Sequence, residues 1–433
     1  MKKVFLFLNK YKSNILLIYL FIQPFIDLIT SICINIINID FTIGMIIRFF
    51  FLIFLFIEFL FNSNSKHKKK EFIYLCLISL YLILFFIQIL VLKGIDASFY
   101  ELSNTLRCFY FPISLVLLID YFEKEKFKIN PIIWKYLFMI YIILIFIPTI
   151  TNTGFNGYTQ GKVGNIGWFN SSNEISAILS LLLPLFIYGL AFNKNKIITI
   201  IELILTLYVI FNLGSKIVIL ACGIIILYYG FVYIKKWFIN KELKKIGIVT
   251  TIVILFIIIA SLLIPKTNFY KNIKIHLDFL QVKNITEIIT NPKIFDHFIF
   301  SSRLTFLKNT ASNYENSSVS EKLLGIGYIE NYGTDDVSLK MIEIDPCDIF
   351  LRHGILGFII YFLSFIYILV EIKKKHHNET IENNYLLSII IGIILMCLSG
   401  HVLTSPAVSI YLSIIMIILL MTKNNDNKTK KMK

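Results

Sequence analysis

Long uncharged apolar runs alternate with short, lysine-rich polar segments along the whole chain. The run FIIYFLSFIYILV at residues 358–370, for example, contains no charged side chain. A helical run of about 18 residues or more is long enough to cross a hydrocarbon layer roughly 30 Å thick. The pattern therefore predicts an all-α, polytopic membrane protein.

We predict about twelve transmembrane helices, with Gly214 and Ser215 dividing a stretch that is too long for one crossing. The predicted spans are residues 14–37, 42–61, 72–92, 106–122, 131–150, 174–192, 197–212, 217–234, 246–264, 347–370, 385–403 and 407–421. A long polar segment, 265–345, separates the ninth span from the tenth, and its apolar spacing in FDHFIFSSRLTFLKNTASNY is helical. We interpret 1–433 as a single polytopic domain with this segment as a long, partly helical extracytoplasmic loop.

The lysine clusters predict the orientation of the chain in the membrane. KHKKK, EKEKFK, NKNK, KKWFINKELKK, KKKHH and both terminal segments all fall on one side of the predicted spans. Because cytoplasmic loops of membrane proteins are enriched in lysine and arginine, we expect both termini to be cytoplasmic.

The overall composition excludes two other classes. The chain is 57% hydrophobic and only 16% charged, far from a soluble globule. The net charge of +15 is spread over short inter-span clusters and forms no single stripe, so no nucleic-acid partner is predicted. The six cysteines are isolated, without Cys-x-x-Cys or Cys/His spacing, so neither a disulfide framework nor a metal site is predicted.

Several charged side chains lie within or beside the predicted spans, where insertion of a charge costs about 2.5–3.5 kcal/mol. Asp27 and Arg48 are at similar predicted depths, so Arg48 either forms a buried ion pair with Asp27 or faces a substrate cavity. Arg107 and Lys216 either extend their charges to the interface or bind a ligand. Together with Arg303, these cations lie in the outer half, where a shared anionic ligand such as a phosphate would account for them.

Two polar patches are candidates for binding sugar hydroxyls. In NSSNE, Asn and Ser side chains are expected to cap the following helix, with Glu174 favourable at its N-terminus, while Asn173 and Glu174 can also bind a glycan. In SGHVLTSP, His401 is either an interfacial histidine or part of a site.

The stretch EIDPCDIFLRHGILG crowds several titratable groups against the start of the tenth span. Glu343, Asp345, Asp348 and His353 can each accept a proton, and Arg303 and Arg352 supply cations. Bases beside phosphate-binding cations suit the transfer of a glycan from a lipid diphosphate. The competing interpretation is a solvated loop end, with Asp345 or Asp348 capping the helix.

Six segments together resemble the O-antigen ligase and polysaccharide polymerase superfamily. They occur in family order over nearly the whole chain: QPFIDLIT, IGWFNSSNEISAILSLLLPL, NLGSKIVIL, SSRLTFLKNT with EKLLGIGY, EIDPCDIFLRHGILG, and SGHVLTSPAVSIYLS. The resemblance implies a type C glycosyltransferase-like fold that needs no metal or other cofactor. It also implies an undecaprenyl-diphosphate-linked glycan donor and a glycan or lipid-linked acceptor, used outside the bacterial cytoplasmic membrane.

The resemblance also implies roles for individual residues. Arg303 would contact the lipid diphosphate, Gly325 and Gly327 would form the family's glycine turn, and Lys216 would stand where many members carry arginine. The chain departs from the family at EIDP, where many ligases have a His-Asn pair, so the base stays open, with Asp345 or Asp348 favoured over His353. The acidic variant is similar to the Gram-positive branch, which implies polymerisation or transfer of a cell-wall or capsule polysaccharide.

A transporter or a flippase for the same lipid-linked glycan is the main alternative. Twelve spans with both termini inside is a common carrier plan, but carriers usually show two matching halves. Here the connection between the sixth and seventh predicted spans is only NKNK, and the bulk of the polar chain lies off-centre. A flippase needs no large outer segment with clustered bases, so the sequence favours a transferase.

Overall fold

The computed structural model describes residues 2–37, 43–62, 68–125, 130–157, 163–239, 264–282, 284–329, 341–375 and 380–421. The chain forms two compact units, one of residues 1–130 and 295–433 and the other of residues 131–294. We refer to them as unit 1 and unit 2 and describe each by itself.

The described residues are predominantly α-helical. The helices are α1 (Lys2–Asn35), α2 (Ile43–Asn62), α3 (Lys68–Glu125), α4 (Pro131–Thr151), α5 (Ser172–Leu190), α6 (Lys196–Leu213), α7 (Lys216–Ile239), α8 (Asn268–Phe279), α9 (Ile285–Thr290), α10 (Pro292–Phe295), α11 (Arg303–Glu315), α12 (Val319–Leu324), α13 (Asp345–Lys375), α14 (Thr380–Leu398) and α15 (Pro406–Met421). Short 3₁₀ and π turns occupy Ile264–Lys266 and Asp296–Phe300.

Within the described residues, nine helices are long and apolar enough to cross a membrane, and α15 is a shorter apolar helix. This agrees with the predicted class, and the protein is an integral membrane protein. All the predicted spans except one overlap described helices, although the span 385–403 extends past the end of α14 at Leu398; the exception, 246–264, falls almost entirely outside the described residues. The predicted division at Gly214 is confirmed, since Gly214 ends α6 with a left-handed φ of 73°.

The largest difference from the prediction lies in α3, where the predicted spans 72–92 and 106–122 lie in separate legs but the connection between them is not a loop. A straight helix of the 58 residues in α3 would be about 87 Å long, far more than a bilayer. The backbone instead turns at Gly94, whose φ of 81° and ψ of 180° divide α3 into two legs. The polar connection predicted as a loop is therefore helical, and Arg107 lies well inside the second leg.

Helix α13 is also broken, at Gly354, where φ is 63° and ψ is −173°. A Cβ at Gly354 would lie 2.5 Å from the Leu323 carbonyl oxygen, and one at Gly325 would lie 2.0 Å from the Arg352 carbonyl oxygen. The segment after α12 thus crosses the broken helix at backbone contact. Amide N–H groups of Ile326 and Gly327 donate to carbonyls of α13 across this crossing. Glycine is required at both positions, because any side chain would collide with backbone.

The core of unit 1 is built around α15, in which every residue from Ala407 to Leu420 is buried. Helices α3, α13 and α14 pack against α15. Phe109 and Phe111 of α3 contact the Tyr361 ring of α13 at centroid distances of 5.5 and 6.1 Å. Because a helix that is buried all round has packing neighbours on every side, α15 lies at the centre of unit 1.

Unit 2 packs α5 against α4 and α7. The predicted cap at the start of α5 is confirmed, since the Ser171 hydroxyl accepts the N–H of Glu174. Farther along the chain, the Asn272 side chain of α8 binds the backbone of Val163 and Gly214, which ties α8 to the turn between α6 and α7.

Candidate functional site

Asp345, at the start of α13, binds the turn that precedes α15. Its side chain accepts the backbone N–H of His401 at 2.8 Å, of Val402 at 2.9 Å and of Leu403 at 2.7 Å. The Thr404 hydroxyl donates a fourth hydrogen bond at 3.0 Å. Asp345 is buried, so these donors replace the water that a carboxylate would otherwise need. The carboxylate therefore fixes the turn 401–404 to α13.

Asp348 performs the corresponding task for the segment that enters α13. Its carboxylate accepts the backbone N–H of Ile342 at 3.1 Å and of Glu343 at 2.8 Å, and the Arg352 guanidinium donates at 3.1 Å. Arg352 is fully buried and also binds the Gly327 carbonyl and lies over the Tyr328 ring, 4.9 Å from its centroid. The competing interpretation had Asp345 or Asp348 capping α13. Both carboxylates instead bind chain segments outside the helix.

The two segments that the aspartates hold meet at a close backbone contact. A Cβ at Gly400 would lie 2.6 Å from the carbonyl carbon of Glu343, so only glycine allows this approach. Glu343 and His401 both have left-handed backbone conformations, with φ of 60° and 61°. Such conformations cost about 1–3 kcal/mol each for a non-glycine residue and persist only where the surroundings enforce them.

Glu343 and His401 project their side chains into one cluster with Arg303, the first residue of α11. The Arg303 guanidinium donates to Glu343 Oε2 at 2.6 Å and to the Leu398 carbonyl at 3.2 Å. His401 Nε2 lies 3.7 Å from Glu343 Oε1. The side chains of Glu343 and His401 are 30% and 25% exposed, whereas that of Arg303 is 9% exposed. We call this group the Arg303–Glu343–His401 cluster.

The electrostatics of the cluster keep Glu343 ionised. Partial burial alone would raise the pKa of Glu343, but the hydrogen bond and charge of His401 and the adjacent Arg303 guanidinium outweigh burial and lower the pKa to about 2. The cluster is therefore an anion between two groups able to carry positive charge.

His353, the remaining candidate base, is enclosed within unit 1. It is fully buried, its Nε2 lies 3.0 Å from the Tyr328 hydroxyl, and the rings of Phe85 and Phe109 pack at centroid distances of 5.2 and 5.1 Å. Of the four predicted bases, Asp345, Asp348 and His353 are buried, and Glu343 alone reaches the surface.

The buried ion pair of Lys93 and Glu101 on α3, which the sequence did not reveal, holds the segment that follows α12. Glu101 is fully buried and accepts the N–H groups of Tyr328 and Ile329 at 2.9 Å and the Lys93 ammonium at 2.7 Å. Lys93 also donates to the Ile326 carbonyl at 2.6 Å. The one signal in the sequence is a lysine and a glutamate on either side of Gly94, within a short polar stretch between two apolar runs.

The other predicted cations make their contacts elsewhere. Arg48 forms the predicted ion pair with Asp27 and donates to Gln23 at 3.0 Å, which confirms the buried-pair interpretation. Arg107 donates to the Met45 sulfur at 3.3 Å, at a cavity of about 370 Å³ between α2 and α3.

The remaining candidates, Lys216, Asn173 and Glu174, belong to unit 2. Lys216 Nζ lies 3.4 Å from His276 Nδ1, and Asn173 and Glu174 lie in the first turn of α5. The structure thus assembles Arg303, Glu343, Asp345, Asp348, His353 and His401 in one part of unit 1.

Comparison with known families places the chain in one of them. The model of the O-antigen ligase like membrane protein family matches residues 9–291 and 287–425, and the chain belongs to this family. No curated protein matches the chain. Family membership and the apolar helices indicate a membrane enzyme of polysaccharide biosynthesis, with glycosyltransferase-type activity and lipid-linked glycan substrates.

Proposed function

We propose that this member of the O-antigen ligase like family transfers or polymerises an undecaprenyl-diphosphate-linked glycan into a cell-surface polysaccharide. The reaction takes place on the outer face of the bacterial cytoplasmic membrane. The observation that carries the proposal is the Arg303–Glu343–His401 cluster, in which a guanidinium lies beside proton-accepting groups whose backbones are held by buried hydrogen bonds. The lysine distribution supports the outward orientation of this cluster, because it predicts that α13 begins on the side away from the lysine-rich loops.

The cluster contains the two elements that glycosyl transfer from a lipid diphosphate requires. The acceptor hydroxyl attacks the anomeric carbon of the donor sugar, and the bond from that carbon to the diphosphate oxygen breaks. The Glu343–His401 pair receives the hydroxyl proton, and the Arg303 guanidinium stabilises the charge on the departing diphosphate. Arginine suits this task because its planar donors match phosphate oxygens.

The buried aspartates supply the rigidity that the reaction needs. Asp345 fixes the turn that carries His401, and Asp348 fixes the backbone of Glu343. Misplacement of a reacting group by about 1 Å can cost on the order of 100-fold in rate. We therefore assign Asp345 and Asp348 to the support of the cluster rather than to proton transfer.

The direct test is genetic. We would delete the gene, complement the strain with the wild type, with Arg303→Ala or with Lys308→Ala, and size the surface polysaccharide. Lys308 is an exposed cation on the same helix and serves as the matched control. We expect Arg303→Ala to lose long chains and to accumulate short lipid-linked glycan that an added glycosidase can digest on intact cells.

Two other outcomes would contradict the proposal. Accumulated glycan that becomes digestible only after the cells are opened would indicate a flippase. Normal long chains in the Arg303→Ala strain, at wild-type protein levels, would exclude the cluster as the site.

A further inference from the structure

We propose that His401 accepts the proton of the attacking hydroxyl and that Glu343 is its positioning partner, not the base itself. This assignment rests on the transferase function proposed above. It goes further by giving the two members of the Glu343–His401 pair different roles.

The geometry of the pair favours one tautomer of His401. Nε2 is the ring nitrogen that faces Glu343, 3.7 Å from Oε1. A carboxylate at that position favours a proton on Nε2, which leaves Nδ1 as the basic nitrogen. The arrangement of a carboxylate behind an imidazole is the one that other enzymes use to orient a histidine base and to stabilise the imidazolium that forms.

The surroundings of Glu343 suit a partner better than a base. Its carboxylate is already engaged by the Arg303 guanidinium at 2.6 Å, and this contact stabilises the ionised form and makes Glu343 a poor proton acceptor. Imidazole is the side chain that most often serves as a general base in enzymes.

The charges around His401 come from three parts of unit 1. Glu343 lies on the segment before α13 and Arg303 on α11, and the Asp345 carboxylate of α13 accepts the backbone N–H of His401 itself. The next charges along α13, Asp348 and Arg352, are paired with each other at 3.1 Å. Two carboxylates, Glu343 and Asp345, lie near His401, against one cation, Arg303. The net negative charge stabilises the protonated form of His401 once it has accepted the proton.

The backbone holds the ring in a defined place. Asp345 binds three successive N–H groups beginning at His401, and the Gly400 backbone touches that of Glu343. Neither side chain of the pair can shift far without breaking these contacts.

In the proposed step, a bond forms between the acceptor oxygen and the anomeric carbon while the bond from that carbon to the diphosphate oxygen breaks. The electron pair of the breaking bond leaves with the diphosphate beside Arg303. The acceptor proton moves to His401, whose imidazolium is stabilised by Glu343, and later returns to water. No oxidant, reductant or further reactant is required.

The test measures transfer by the full-length protein in lipid nanodiscs between pH 5 and pH 9. The donor probe is lipid-linked glycan extracted from the strain that carries Arg303→Ala. We would compare the wild type with His401→Gln, Glu343→Gln and the control His297→Gln, which changes a histidine of the π turn outside the cluster. Thermal transitions and donor retention on gel filtration would be recorded for every variant.

We expect His401→Gln to lower kcat by about 100-fold or more, to leave KM for the donor within about threefold and to abolish the fall in rate at acidic pH. Added imidazole should restore part of this rate. Glu343→Gln should keep a measurable rate whose acidic limb moves to lower pH, because loss of the anion makes the imidazolium less stable. His297→Gln should match the wild type.

Three results would overturn the assignment. His401→Gln could retain a rate within a few-fold of the wild type with its acidic limb in place. Glu343→Gln could be the variant that loses the acidic limb and about 100-fold in kcat. If His401→Gln does not fold, an acidic limb in Glu343→Gln that stays in place or moves to higher pH would decide against His401. A wild type that transfers nothing would instead contradict the proposed function, so the two failures are distinguishable.

Discussion

Replacement of Asp345 by asparagine should destabilise the protein, because the aspartate acts as a structural anchor. The wild-type carboxylate receives four hydrogen bonds, two at each oxygen, in a buried position. An asparagine keeps one oxygen and puts an amide NH₂ where the other stood. If the NH₂ replaces Oδ2, the N–H groups of Val402 and Leu403 lose their acceptor and face another donor. If it replaces Oδ1, the N–H of His401 does so, while the Thr404 hydroxyl can turn and accept from the NH₂.

The size of the effect follows from these contacts. Hydrogen bonds to charged groups contribute about 1.5–3 kcal/mol each, and a buried group without a partner costs a similar amount. Loss of one or two of the four bonds at Asp345 should therefore lower the free energy of unfolding by about 1.5–6 kcal/mol, a substantial part of the typical 5–15 kcal/mol. The turn 401–404 should loosen first, since nothing else replaces the lost acceptor.

The assay is thermal unfolding of purified protein in nanodiscs, with yield of folded protein as a second measure. Asp278→Asn, an exposed aspartate on α8, is the control and should match the wild type. If Asp345 were the proton acceptor instead, Asp345→Asn would unfold at the wild-type temperature and would lose about 10²–10⁴ in rate. A fully stable but inactive Asp345→Asn protein would thus refute the structural role given to Asp345.

Three further substitutions test the structural roles of Gly354, Glu101 and Glu343. Gly354→Ala should sharply reduce folded protein in detergent extracts, because φ is 63° and the added Cβ would lie 2.5 Å from a carbonyl oxygen; Gly223→Ala, whose Cβ would meet no atom within 4 Å, should be tolerated. Glu101→Gln should lower the free energy of unfolding by about 3–5 kcal/mol, because it leaves the Lys93 charge buried without its anion. The double variant with Lys93→Met should recover part of the lost free energy of unfolding. The pKa of Glu343 is depressed in the folded state to about 2 from an ordinary 4.5, so its contribution to stability is present above about pH 4.5 and disappears as the pH falls towards 2. The stability difference between wild type and Glu343→Gln should shrink over that pH window in denaturant titrations, and a difference independent of pH would contradict the ion pairing.

The apolar pattern predicts most of the helices because membrane insertion depends on composition and length alone. It also predicts the pair of Asp27 and Arg48, since a charge in a span needs a partner at its own depth. The pattern fails at the Gly94 turn, where a polar stretch looks like a loop and is a helix. Gly94, with a positive φ, breaks the helix there, and part of the polarity belongs to Glu101, which binds backbone N–H groups more than 200 residues away.

The acidic stretch before the tenth span shows why residue type alone could not assign the chemistry. Asp345 and Asp348 lie within one turn of a helix, so the sequence suggests a shared role, yet each binds a different segment of chain. Protonation of a carboxylate that accepts backbone N–H groups breaks at least one of those bonds. A proton taken up by Asp345 would therefore loosen the turn that carries His401 during the step that needs it fixed. The His401 imidazole is partly exposed, and Asp345 binds the backbone of His401 rather than its ring. A proton can therefore move to the ring while the buried acids keep holding the backbone.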